Sequence, residues 1–495
     1  MKKLLYVLLL ISFSGLAQEN SKSLQYVKTI TTEGLKDKLS IIASDALEGR
    51  MTGTRGQKMA AAFIAFHFQQ LGLKGPVNGN YLQQFPLYEA SRKQNNLYIE
   101  NKKLEETDSY FYMGNKGTNG MISAPLVFAG KGSSEEIGQI DVKEKAVLVM
   151  LDNMKRETFQ TVRTILKELK EKGAVTVLFA PQTTAEEFKE MRGMITGASL
   201  RLEKESKEWF EIFFVMPQLT EKLMGTSTKK LNEAMEKKEL KKIKSSRISW
   251  LNEFEIKEVM TENVLGYLEG TDKKDELVIV TAHFDHIGKQ EHGPDGVNNG
   301  ADDDGSGTVS VMQIAEAFAQ AKREGNGPRR SMLFMTVTGE EEGLFGSEYY
   351  VTHPVFPLTS TVVDLNIDMI GRTDPGHSQD KNYVYVIGSD KLSSKLHELS
   401  ENTNSTYSKL ALDYTYNDQN HPEMLYYRSD HWNFAKNNVP IIFYFDGIHE
   451  DYHKPSDEVG KIEFDILAKR AQLIFHTAWE IANREERIVP DAPKK

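Results

Sequence analysis

From about residue 257 onward, apolar runs alternate with amphipathic stretches, and this alternation sharply limits the folds open to the chain. Runs 277–280, 332–337, 362–367 and 439–445 are its strongest strand signals. Between the first two, Val311, Ile314, Ala315 and Phe318 recur at the spacing of one helix face. Strand, helix, strand in that order predicts an α/β fold: a mixed, largely parallel sheet covered by helices on both faces.

Upstream the texture differs. Residues 23–95 read as helical first, with Met59, Phe63 and Phe66 at helical spacing and Gly72 as a stop signal. Residues 96–256 mix short β-rich runs (124–129, 146–151, 175–180) with Lys/Glu-rich helical stretches such as 232–244. The lysines of that stretch, Lys237, Lys238, Lys241, Lys242 and Lys244, interleave with Glu and read as a solvated helix face. No catalytic set stands out in this block, so it reads as an inserted, β-rich α+β domain.

A length of 495 residues suits two or three domains at about 150 residues each. The opening Met1-Lys2-Lys3, the apolar run 4–13 and Gly15-Leu16-Ala17 predict a signal peptide cut after Ala17. That run falls short of the roughly 20 residues that span a bilayer. The expected organisation is therefore a signal peptide (1–17), an N-terminal part of the main domain (23–95), the insert (96–256), the catalytic part (257–485) and a flexible tail (486–495). The product should be exported, periplasmic or secreted, and free of the membrane after cleavage; its oligomeric state is open. Sixty-one basic against 71 acidic residues give a net charge of −10, which disfavours nucleic acid as a partner. With no Cys there is no thiol nucleophile, no disulfide and no Cys-ligated zinc.

The chemistry gathers where strands end. The first run leads into His283-Phe284-Asp285, and a loop then brings Gly300-Ala301-Asp302-Asp303-Asp304-Gly305-Ser306-Gly307. The later runs lead into Gly339-Glu340-Glu341-Glu342-Gly343, into Asp368, and into the loop that carries His453. Open α/β sheets place their sites outside the carboxyl ends of strands, so these distant residues can meet at one edge. His, Asp and Glu are the nitrogen and oxygen ligands that Zn²⁺ takes. Two ions need a shared carboxylate, and a further carboxylate must stay off the metal to move protons. Adjacent Glu340 and Glu341 can divide these jobs. Asp285, two residues after His283, suits an acid that fixes the histidine tautomer.

His449-Glu450-Asp451-Tyr452-His453 also matches H-E-x-x-H, a zinc signature that works only on a helix. Gly447 before it and Pro455 after it argue against a helix there.

Together these pieces resemble peptidase family M28, the zinc-dependent aminopeptidases. The matching motifs are His283-Phe284-Asp285, the 300–307 run, Glu340-Glu341-Glu342-Gly343-Leu344-Phe345-Gly346-Ser347, Asn366-Ile367-Asp368-Met369-Ile370-Gly371 and Tyr452-His453-Lys454-Pro455-Ser456-Asp457. The resemblance implies a zinc-exopeptidase, phosphorylase/hydrolase-like fold, and the insert is similar to a protease-associated domain. It implies peptide substrates and two Zn²⁺ per chain. His283 and Asp368 would hold one ion, Glu341 and His453 the other, and Asp303 would bridge them. Glu340 would be the general base and acid, Asp285 would orient His283, and a cis peptide would follow Asp303. N-terminal residues would then be removed by a water that Glu340 activates. Asp430 is a candidate to meet the substrate amine, whereas His286, His292, His421 and His449 read as structural. Carboxypeptidases, dipeptidases, one-zinc glutaminyl cyclases and non-catalytic binding relatives are the alternatives on the same fold.

Overall fold

The computed structural model describes residues 20–104, 109–114, 117–153, 156–195, 199–204, 210–290 and 296–491. The expected signal segment and His292 lie outside the described residues. The chain forms two compact units. One takes in the described residues up to Phe85 and from Met260 on, and the other spans Pro86–Val259.

The Pro86–Val259 unit is built on β1 (Leu82–Ile99), β2 (Lys102–Lys103), β3 (Tyr110–Met113), β4 (Ile122–Phe128), β5 (Ala146–Leu151), β6 (Thr176–Pro181), β7 (Glu211–Val215) and the first part of β8 (Ser246–Leu268). The order is β8-β4-β5-β6-β7-β3, with β4 to β7 parallel and both flanking pairs antiparallel. Every residue of β5 and β6 is buried. Ala146, Leu148 and Met150 enter one apolar cluster, and Val147, Val149 and Leu151 enter another on the opposite face. Burial on both faces is why these strands read as continuous apolar runs. The helix expected over 232–244 is shorter than its composition suggested. It spans Thr228–Glu236 and ends before Lys238, whose φ of 55° breaks the helical path.

In the other unit the rest of β8 joins β9 (Lys273–His283), β10 (Arg330–Val337), β11 (Thr361–Ile367), β12 (Tyr383–Ile387), β13 (Ala411–Asp413) and β14 (Ile441–Phe445). The order is β13-β12-β14-β11-β9-β10-β8. The central strands β14, β11, β9 and β10 are mutually parallel, while β8 pairs antiparallel with β10, β12 pairs antiparallel with β14, and β13 lies parallel to β12. Alternate residues feed two cores. Val278, Val280, Met332 and Phe334 pack with α1 (Thr32–Ile42), α2 (Arg55–Gln70), α3 (Gly307–Arg323) and α5 (Phe464–Asn483). Leu277, Ile279, Leu333 and Met335 pack on the other face with Tyr350 and Val351 of α4 (Phe345–Thr352). Full burial of each such side chain contributes about 1.5–3 kcal/mol. The fold is thus the α/β class expected, with helices on both faces of a mixed, largely parallel sheet.

Two further expectations need correction. The helix read from Met59, Phe63 and Phe66 exists, but Ala60, Ala61, Ile64 and Phe68 face the core, and Met59 and Phe66 are exposed. The segment after 486, expected as a flexible tail, is anchored as far as Asp491. Arg487 donates to the carbonyls of Thr359 and Thr361, Ile488 is buried, and Asp491 accepts from Ser394.

Candidate metal centre

His283 is the last residue of β9, and Asp368 directly follows β11. Glu340 and Glu341 lie in the turn between β10 and α4, and Asp303 lies in the 301–306 turn that leads into α3. His453 sits in the loop after β14, with a φ of 56°. The parallel strands bring these residues to one sheet edge.

Asp303 stands between two groups. Its Oδ1 is 3.4 Å from His283 Nε2, which is also 3.6 Å from Asp368 Oδ1 and 3.9 Å from Glu340 Oε2. Its Oδ2 is 3.1 Å from His453 Nε2, which lies 3.0 Å from Glu341 Oε2. The peptide bond from Asp303 to Asp304 is cis. Asp303, Glu340, Glu341 and Asp368 line one small pocket of about 30 Å³, whose other walls include Met369, Leu425, Phe443, Phe445, Ile448, Arg428 and Tyr452.

The electrostatics follow from this crowding. Burial pulls His283 down, but Glu340, Asp368 and Asp303 outweigh it and hold the imidazole well above its ordinary value. Burial likewise pulls His453 down, yet Asp303 and Glu341 raise it to about 10. Burial pushes Glu340 well above the usual carboxylate range; Asp368 and Glu341 add to this against the pull of His283. Burial would raise Asp303 too, but His283 and His453 hold it well below that range.

The residues fit divalent ions. Among the described residues, buried Nε2 of His283 and His453 and Oδ2 of Asp303 have no hydrogen-bond partner, although their neighbours lie 3.0–3.6 Å away. Unsatisfied buried nitrogen and oxygen atoms converging without hydrogen-bond geometry are what a bound cation would satisfy.

Residues around the cluster hold it in shape. Asp304, buried, accepts the N–H of His283 at 3.1 Å, of Gly307 at 3.1 Å and of Met369 at 3.0 Å. One carboxylate thus ties together the end of β9, the start of α3 and the residue after Asp368. Position 307 must be Gly, because a Cβ there would stand 2.5 Å from Asp304. Asp457 accepts from the N–H groups of Asp302 and Asp303. Thr281 donates to Asn366, Asn366 to Ser429, and Ser429 to Asp368 Oδ2 at 2.7 Å. The Arg50 guanidinium, fully buried, donates to the carbonyls of Ile42, Phe284, Asn299 and Gly300, which frame the cluster.

Some expected roles shift. His283 Nδ1 is 3.2 Å from the backbone carbonyl of Asp285 and 3.8 Å from its carboxylate. That carboxylate instead accepts from Thr52 Oγ1 at 2.8 Å and from the N–H of Glu340 at 3.3 Å, so Asp285 braces the Glu340 turn. Asp430 is fully buried, accepts from Ser347, and is pushed up to about 7 by burial; it is sealed from the pocket it was expected to serve. His449 does not pair with His453 on a helix. The 449–453 stretch forms turns, and His449 Nε2 meets Asp302 Oδ2 at 3.1 Å. His421 accepts from the N–H of Glu423. His286, read as structural, lies against Glu341. Its position directly after Asp285 was the only sequence signal.

Residues 263–478 match the model of Peptidase family M28. The chain is similar to a probable leucine aminopeptidase of Arthroderma benhamiae, at 28% identity over 216 residues, 42% of this chain and 55% of that protein. The chain spans about half the length of the curated relatives it matches. The fold is similar to that of an aminopeptidase from Aneurinibacillus sp. strain AM-1, with a TM-score of 0.59 at 16% identity, covering 95% of this chain and 98% of that one. It is similar also to BSAP, a zinc aminopeptidase from Bacillus subtilis, with a TM-score of 0.52 at 18% identity, covering 93% of this chain and 98% of that one.

Proposed function

We propose that this chain is an exported aminopeptidase that uses two zinc ions to remove N-terminal residues from peptides. The observation that carries the reading is Asp303, whose two oxygens face two separate groups of ligands. In this reading His283 and Asp368 hold one ion, Glu341 and His453 the other, and Asp303 serves both. Zinc bound there would polarise the scissile carbonyl and lower the pKa of a water to near neutrality. The M28 match and the aminopeptidase names of similar proteins support the reaction class. Among the described residues no helix is long and apolar enough to cross a membrane. The export assignment rests on the N-terminal sequence, and the Pro86–Val259 unit is read as the protease-associated-like insert.

Glu340 takes the proton of the attacking water at its carboxylate and passes it to the leaving amine. Its Oε2 lies 3.9 Å from His283 Nε2 and its side chain lines the pocket, which puts the carboxylate beside the proposed ligand groups. Tyr452 lines the pocket, and burial with the nearby acids keeps its phenol protonated. It therefore offers an O–H donor to charge developing on the carbonyl oxygen. The walls of Met369, Leu425, Phe443, Phe445 and Ile448 suit a substrate with an apolar N-terminal side chain.

The test offers zinc-loaded protein a set of peptides, each with a free and an acetylated N terminus, and reads products by mass spectrometry. Stepwise loss of apolar N-terminal residues from free peptides alone is expected. Cleavage of acetylated peptides, or trimming from the other end, overturns the aminopeptidase reading. Glu340→Gln should keep its zinc and lose roughly 10²- to 10⁴-fold in rate.

A further inference from the structure

We propose that His286 is a positioning residue that fixes Glu341, and so sets metal affinity on the His453 side of the cluster alone. The inference rests on the two-ion reading above. His286 is 1% exposed, and its Nδ1 lies 2.7 Å from Glu341 Oε1. The other oxygen of Glu341, Oε2, lies 3.0 Å from His453 Nε2. A bond to Oε1 stops the carboxylate from rotating and leaves Oε2 aimed at the ligand group.

Distance decides between a support and a direct ligand. Ligand atoms of His286, Asp303 and Glu341 lie within 4.8 Å of one another, so the three could share an ion. Two atoms each about 2.0–2.2 Å from a tetrahedral ion stand roughly 3.4 Å apart. The His453 contacts at 3.0 and 3.1 Å approach that spacing, whereas the 2.7 Å contact of His286 is a hydrogen bond.

The ring is held for this purpose. The N–H of His286 donates to the carbonyl of Arg50 at 3.3 Å. Gly300 lies against the ring, and a Cβ there would stand 2.6 Å from Cγ and Cδ2. With the proton on Nδ1, Nε2 is bare, which agrees with its lack of a hydrogen-bond partner among the described residues.

The test uses metal-free, full-length protein and zinc titration in competition with a chelator. Wild type is expected to bind two ions; binding none would sink the two-ion reading itself before any variant is compared. His286→Phe keeps the ring volume but removes the donor. It should lose about 10- to 100-fold in affinity at one site, with the other unchanged, and His286→Gln should recover part of the loss. Unchanged affinity at both sites, or an equal fall at both, overturns the proposal. Complete loss of one ion without recovery in His286→Gln makes His286 a ligand and overturns it too. A second measurement needs no variant. Histidine ¹H–¹⁵N spectra of the zinc-loaded wild type should show His286 protonated at Nδ1 and bare at Nε2. A proton on Nε2, or a metal-shifted Nδ1, refutes the assignment.

Discussion

His283 ends β9 with 1% of its side chain exposed, while His453 lies well past the end of β14 with 37% exposed. The partners differ likewise. Asp368 directly follows β11, with its Oδ2 bonded to Ser429, whereas Glu341 sits in a turn and is held through His286. One half of the cluster inherits its geometry from the hydrogen-bond ladder of a parallel sheet. The other half is assembled from loops, and side-chain bonds supply the order the sheet does not. Asp303 belongs to both halves, so a change there strikes both at once.

Asp303→Asn should therefore have the largest effect. The amide keeps one acceptor oxygen and loses the other, so ion content is expected to fall from two to one or none. Hydrolysis should fall with it, because a metal supplies several kcal/mol of transition-state stabilisation, which is ~10³-fold or more. Metal analysis of the purified variant checks this. Two retained ions would mean that Asp303 does not join the halves.

The halves themselves are separated by His283→Ala and His453→Ala. At His453 solvent can enter and fill the missing position. At His283 the gap is closed, and Asp368 and Glu340 are left facing it. An unsatisfied buried polar group costs about 1–3 kcal/mol, so the loss of zinc affinity should be about tenfold greater in His283→Ala. Competition titration of the two variants reads the difference, and equal losses would erase the distinction between the halves.

The same contrast explains which residues were legible in the sequence. The strand-borne residues were readable because full burial makes β9, β10 and β11 apolar runs, and each run points at the residues just past its end. His283 and Asp368 come straight from that logic, Glu340 and Glu341 lie in the turn a few residues past β10, and the motifs carried Asp303 and His453. The supports were not readable in the same way. Arg50, Thr52, His286 and Ser429 reach the cluster from segments far apart in sequence or from an uninformative neighbour position. No periodicity announces a side chain that bonds a carbonyl two hundred residues away. The misread face of α2 has a simpler cause. Met59 and Phe66 are more apolar than Ala60 and Ala61, but the buried face is the one that carries Ile64 and Phe68, and Ala60 and Ala61 lie on it.

The smallest expected effect concerns protons. In the metal-free chain, burial pulls His453 down, but Asp303 and Glu341 raise it to about 10. An unfolded histidine titrates near ~6.5. A pKa raised by folding means that the proton stabilises the folded state. That contribution is fully present below about pH 6.5 and is lost as pH rises through about 10. Its size is modest, because the side chain is 37% exposed and solvent screens the pair. A divalent ion must displace the same proton, since only neutral imidazole ligates. Metal-free protein should thus lose thermal stability between about pH 7 and 10, while zinc-loaded protein should not show that slope. Zinc uptake near pH 8 should release protons, seen as calorimetric heats that change with the buffer's ionisation enthalpy. His453→Gln should flatten part of the slope and reduce the release, but not abolish it, because His283 is also held well above its ordinary value on the strand-borne side. A metal-free melting temperature that stays level or rises across this range would show that the loop-borne half does not hold its proton between Asp303 and Glu341.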